Sequence, residues 1–155
     1  MSFNSNDILE IAKRIEKNGA VFYRKAAETV SDKAQKNFLL ELASMEDEHE
    51  KTFAALQKEL AGSETASTAF DPDDENAVYL KALADMRVFA DKEPPPNSFK
   101  QILLSAIQAE KDSIVFYLGM KALVPETMGK AKLDDIIKEE MVHIRNLAHL
   151  YNRIL

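Results

Sequence analysis

Two of the three histidines in this 155-residue chain stand in the same setting. His49 has a glutamate three residues before it, Glu46, and another thirty-three before it, Glu16; His143 has Glu140 and Glu110 at the same separations. On a helix, a glutamate and a histidine at i and i+3 project from one face toward a common point, which suits a metal ion. An oxygen-rich site with one imidazole per ion fits iron, manganese or zinc and does not suit copper(I).

The elements that must position these residues read as helices almost throughout, since apolar residues recur with period 3.6 and nowhere alternate for long. The first helix is expected from about Asp7 to Val30, with Asp7 and Glu10 spaced as a capping box. The second is expected from about Asp32 to Ala61, with Gly62 as its stop. Asp71-Pro72 followed by acids starts a short helix with Val78, Tyr79, Ala82, Leu83, Met86 and Phe89 on one face. The prolines of "KEPPPNS" end it. Ser98 with Gln101 opens a helix over about 99–123, and Pro125 starts the last, running to about Ile154. The predicted fold is all-α: an antiparallel four-helix bundle whose long crossover holds the short extra helix, as one domain over 1–155.

The chain also repeats. Shifted by 94 residues, "EKNGAVFYRK" at 16–25 meets "EKDSIVFYLG" at 110–119, and 11 identities fall within 12–49, among them Glu16, Tyr23, Glu46 and His49. Two copies of one helical hairpin therefore face each other. The second helix presents Leu39, Leu42, Glu46, His49, Phe53, Leu56 and Leu60 at seam spacing. The last presents Leu133, Ile136, Glu140, His143, Leu147, Leu150 and Ile154. Glu16 sits among Ala12, Ile15, Gly19 and Tyr23, and Glu110 among Ala106, Ile107, Ile114 and Tyr117. With the turns at Ser31 and Pro125, each glutamate lies 15 residues from its turn. A rise of 1.5 Å per residue then puts all four at one level, roughly 22 Å along their helices.

Four inward carboxylates on one level would repel one another and cost several kcal/mol each in desolvation. Two divalent cations cancel the four charges. The rival arrangement, a structural ion-pair network, needs a lysine or arginine on these seams, and none is there. Tyr23 and Tyr117 lie two turns past Glu16 and Glu110, either as core aromatics with satisfied hydroxyls or as partners of the ligands. Glu139 could orient a ligand histidine, although its repeat counterpart is Met45; the six methionines otherwise read as packing. His149 lies off the seam and is expected at the surface.

Composition narrows the classes further. A net charge of −6 with no basic cluster argues against nucleic acid, and the absence of cysteine excludes disulfides and thiolate-bound metal centres. The longest apolar run, "IVFYLGM", is too short to span a membrane, and the N-terminal residues do not read as a secretion signal, so a cytoplasmic location is expected.

Glu16, Glu46-x-x-His49, Glu110 and Glu140-x-x-His143 resemble the ligand set of the ferritin-like carboxylate-bridged di-iron proteins. "IEKNGAVFYRKAAE" at 15–28 is similar to the opening helix of their rubrerythrin branch. The resemblance implies two metal ions per chain, iron first and manganese or zinc next. It implies that Glu46 and Glu140 bridge them, that Glu16 and Glu110 bind terminally, and that each histidine binds one ion. It also implies an oxidoreductase reducing peroxide or dioxygen, or alternatively an iron-oxidising, metal-handling protein, in a homo-oligomer such as a dimer. Two departures matter. The four-cysteine rubredoxin module of rubrerythrins is not within this sequence, so electrons are expected from an external donor such as a rubredoxin or a flavoprotein. The further glutamate that rubrerythrins place one turn after the ligand of the third long helix is here Ser113.

Overall fold

The computed structural model of the chain describes residues 4–61, 75–85, 94, 98–122 and 129–154. They form five helices: α1 (Ser5–Thr29), α2 (Lys33–Ala61), α3 (Glu75–Asp85), α4 (Phe99–Lys121) and α5 (Lys130–Arg153). The all-α expectation holds, with four long helices and one short one.

Local chemistry sets the helix ends. Asn4 caps α1: its side chain accepts from the Asp7 amide at 3.0 Å, and the Asp7 carboxylate accepts from the Asn4 amide at 2.9 Å. The box is therefore Asn4–Asp7, not Asp7–Glu10, because the asparagine one turn earlier supplies the cap and leaves Asp7 as the acid inside. Asp32 accepts from the Gln35 amide at 2.9 Å ahead of α2, and Ser98 from that of Gln101 at 3.2 Å ahead of α4.

Two expectations need correction. The last helix begins at Lys130, five residues after Pro125, because Gly129 sits at φ 103° in the left-handed region, where a right-handed helix cannot pass. The apolar face expected for the short helix holds only in part: Leu83 packs against the core, but Ala82 is exposed. Leu80 is its fully buried residue, whereas Val78 and Tyr79 are 57% and 47% exposed. The helix packs against α4, where a Cβ on Gly119 would meet Leu80 Cδ2 at 2.9 Å and the Tyr79 ring at 3.1 Å. The positions 62, 71–72, 86, 89 and 125, on which other expected ends and contacts rested, lie outside the described residues.

Contacts between helices give the topology. Lys13 reaches Gln57 and Arg24 pairs with Asp47, so α1 and α2 are antiparallel. Lys121 pairs with Asp134 at 2.6 Å, and the Lys100 ammonium lies over the Tyr151 ring, so α4 and α5 are antiparallel too. Across the hairpins, Tyr23 bonds Glu110 while Tyr117 bonds Glu16, which makes α1 antiparallel to α4. His49 meets Glu139 and Met45 meets His143, so α2 is antiparallel to α5. Hence α2 and α4 run the same way, and the segment joining them must travel the length of the bundle. That segment contains α3.

The core is one cluster in which Ile8, Phe22, Leu39, Phe53, Ile102, Phe116, Met120 and Leu133 are all at most 1% exposed. Among the described residues, no helix is long and apolar enough to cross a membrane.

Candidate metal centre

Each long helix delivers its part of the centre from mid-length. Glu16 lies 13 residues before the end of α1, and Glu46 lies 13 after the start of α2. Glu110 lies 11 before the end of α4, and Glu140 lies 10 after the start of α5. Counting from the observed helix ends, Lys121 and Lys130 on either side of Pro125, thus keeps both pairs level. The seams put the same residues inside: Glu16, Glu46, His49, Glu110, Glu140 and His143 are each no more than 3% exposed.

The six form two overlapping groups. One contains Glu16, Glu46, His49 and Glu140; the other contains Glu46, Glu110, Glu140 and His143. Within each group, one ligand atom per residue lies within 4.8 Å of all the others. Glu46 and Glu140 belong to both. His49 Nδ1 lies 2.8 Å from Glu140 Oε1 and 3.4 Å from Glu16 Oε2. His143 Nδ1 lies 3.3 Å from Glu46 Oε1, 3.4 Å from Glu140 Oε2 and 3.6 Å from Glu110 Oε1. The two imidazoles stack with centroids 5.8 Å apart.

Closeness here is not hydrogen bonding. Glu16 Oε2, Glu46 Oε1, Glu110 Oε2, both Glu140 oxygens and both histidine Nδ1 atoms are buried without a hydrogen-bond partner. Even the 2.8 Å contact of His49 with Glu140 is out of line for one. Buried polar atoms normally find partners, and leaving each without one costs about 1–3 kcal/mol. Lone pairs converging on two points from oxygen and imidazole nitrogen are what a pair of divalent cations satisfies. The residues present fit such ions.

The electrostatics without metal show the strain. Burial, and then the charge of Glu140, raises Glu16 above its ordinary pKa; burial and the charges of Glu140 and Glu16 push Glu46 well above. Burial would also raise Glu140, but the imidazoles of His143 and His49 outweigh it and hold Glu140 low. For His49, burial works downward, yet Glu140 and Glu16 outweigh it and lift the pKa to about 11. Without metal, Glu16, Glu46 and His49 thus all bind their protons more tightly than they would in water.

Around the six, Tyr23 donates to Glu110 Oε1 at 2.6 Å and Tyr117 to Glu16 Oε1 at 2.5 Å. Both hydroxyls are pushed well above their ordinary pKa, chiefly by burial and then by the glutamates nearby, so they remain proton donors. Each tyrosine therefore serves the glutamate of the other hairpin, not the one two turns before it. Glu139 Oε2 lies 2.5 Å from His49 Nε2, and Met45 Sδ lies 3.3 Å from His143 Nε2. Met45 is thus more than packing, a contact that spacing within one helix does not reveal. Ser113 is buried and donates to the Ala109 carbonyl at 3.0 Å. His149 is exposed.

Comparison with known proteins agrees with this fold. A solved structure of a Thermotoga maritima protein, described as ferritin-like and diiron-carboxylate, superimposes with a TM-score of 0.68. It is 26% identical in sequence, with 97% of this chain and 96% of that one covered. No curated protein sequence matches the chain. The rubrerythrin family model matches residues 7–93, more than half of the chain, and that span carries Glu16, Glu46 and His49. Fold, repeat and family match together place this chain in the rubrerythrin family, with a ferritin-like helical bundle.

Proposed function

We propose that Glu16, Glu46, His49, Glu110, Glu140 and His143 hold two metal ions, iron in the native protein. We further propose that the loaded centre reduces hydrogen peroxide or dioxygen with electrons from a separate donor protein. One observation supports the metal reading above the others: seven buried atoms without hydrogen-bond partners, all from these six residues, converge on two overlapping points. When bound, a pair of ferrous ions would supply two electrons, enough with two protons to take hydrogen peroxide to two waters or dioxygen to hydrogen peroxide.

The chain's own residues prepare the site for that chemistry. Glu46 and Glu140, common to both groups, would serve both ions, while Glu16 and Glu110 would each serve one. The tyrosine hydroxyls fix one oxygen of each terminal carboxylate and leave the other facing inward. Phe53 packs on the Tyr117 ring at 5.3 Å and keeps bulk water from that side. A cavity of about 420 Å³ between α2 and α5, lined by His49 and Glu139, gives small molecules an approach. Sustained turnover consumes electrons that the six ligands do not supply, and a separate donor such as a rubredoxin or a flavoprotein would provide them. The Ser113 hydroxyl is engaged with the helix backbone, so this position supplies no extra carboxylate, and peroxide consumption is expected to be slower than in rubrerythrins that have one.

The test is anaerobic loading with ferrous iron, elemental analysis, and stopped-flow mixing with peroxide and with dioxygen. Two irons per chain and oxidation by at least one oxidant are expected. Absence of stoichiometric metal would defeat the metal reading. Verified di-iron protein inert to both oxidants would defeat the oxidoreductase reading and leave metal handling in its place.

A further inference from the structure

Positions 45 and 139 are equivalents under the 94-residue repeat, and the structure gives them equivalent places. Each sets its side chain against Nε2 of the histidine on the facing helix, but the two differ in kind. Glu139 offers a carboxylate oxygen 2.5 Å from His49 Nε2, whereas Met45 offers a thioether sulfur 3.3 Å from His143 Nε2. A metal-bound imidazole is neutral and carries one N–H; a carboxylate holds that proton on Nε2, which leaves the Nδ1 lone pair, on the side of Glu16 and Glu140, for an ion shared with them. A thioether is a weak acceptor and holds His143 less firmly. Elsewhere the halves match: both have the same two glutamates, the same histidine and a tyrosine on the opposite terminal carboxylate. The Glu139 side chain is 51% exposed at the edge of the cavity beside His49, so changing it does not empty the core.

We propose that Glu139 is a positioning residue that makes the two metal positions unequal. The ion held by His49, Glu16 and the two shared glutamates binds first and more tightly than the ion held by His143 and Glu110. This rests on the di-metal reading above. Partners on the far nitrogen of a metal-bound histidine are typically worth about 10–100-fold in affinity, and a separation of that order between the two dissociation constants is expected.

The test uses the full chain, stripped of metal and titrated with Co(II) by calorimetry, with anomalous diffraction from crystals given less than one equivalent. Wild type should bind in two resolved steps, with the first ion beside His49. Glu139→Met should weaken the first step by about 10-fold or more while the metal-free melting temperature is kept. Glu139→Gln, which retains an acceptor oxygen without the charge, should give a smaller loss. The exchange Glu139→Met with Met45→Glu should move the first ion to His143, an outcome that a merely structural role for Glu139 does not produce. Equal affinities in wild type, a first ion beside His143, or an exchange that leaves the order unchanged would each overturn the proposal. Absence of cobalt uptake would remove the di-metal reading itself, whereas two equal steps would leave that reading standing.

Discussion

At the scale of single residues, the two shared glutamates should matter differently from the others. Glu46→Ala or Glu140→Ala takes a ligand from both groups, so elemental analysis should show loss of both ions. Glu16→Ala or Glu110→Ala takes a ligand from one group and should mainly weaken one ion; equal retention across all four variants would place the metal elsewhere. Tyr117→Phe removes the donor to Glu16 Oε1 and leaves that buried oxygen without a partner, at a cost of about 1–3 kcal/mol. Thermal denaturation of the metal-free protein should show that loss, and an unchanged melting temperature would mean the hydroxyl contributes nothing. The inward residues were legible in the sequence because a seam of apolar side chains at helical spacing has only one face to point toward, and Glu46 and His49 stand in its middle. The pairings of Tyr23 with Glu110, Glu139 with His49 and Met45 with His143 were not. Each joins different hairpins, and the register between hairpins follows from how two completed units pack, which no spacing along one helix records.

At the scale of elements, helix existence follows from periodicity, whereas helix ends follow from single residues that periodicity does not weigh. Proline at 125 looked like a helix start because proline suits the first turn, but Gly129, in the left-handed conformation, marks where α5 begins. The same glycine packs against the far end of α2, where a Cβ would overlap the Leu56 side chain. Gly129→Ala should therefore destabilise twice, through a strained φ costing about 1–3 kcal/mol and through that overlap, against a smaller gain of about 0.4–1 kcal/mol from a stiffer unfolded chain. Far-UV circular dichroism should show the melting temperature falling by roughly 3–10 °C for a domain of this size. Metal stoichiometry should stay unchanged, because Glu140 lies 10 residues into the helix from its start. A variant as stable as wild type would mean that the α5 start does not require the left-handed residue. In the short helix α3 apolar residues lie on several faces, and packing against α4 buries Leu80 in full, which spacing within the helix does not record.

For the whole molecule, the buried cluster ties folding, protons and metal together. Glu16 and Glu46 are held above the ordinary carboxylate value of 4.5, chiefly by burial, and His49 is lifted from 6.5 to about 11 by Glu140 and Glu16 against burial. Each of these groups binds its proton more tightly in the folded metal-free chain than in the unfolded one. Each therefore contributes stability that is complete below its unfolded value and is lost as pH rises toward its folded value. The share from His49 disappears between about 6.5 and about 11. Glu140, held low by the imidazoles of His143 and His49 despite its burial, works in the opposite sense, but its contribution is lost only as pH falls into the acid range. The melting temperature of chelator-treated protein should accordingly fall between about pH 6 and about pH 9. Divalent ions need deprotonated carboxylates and a neutral imidazole, so loading must expel the protons that the empty cluster retains. Metal affinity should rise over the same interval, and the gap in melting temperature between loaded and stripped protein should widen with it. Calorimetry in buffers of different ionisation enthalpy counts the released protons directly, and at neutral pH at least one per chain is expected, from His49. A stripped protein that becomes more stable from about pH 6 to about pH 9, or metal uptake with no proton release, would show that the ions do not displace protons from these six side chains.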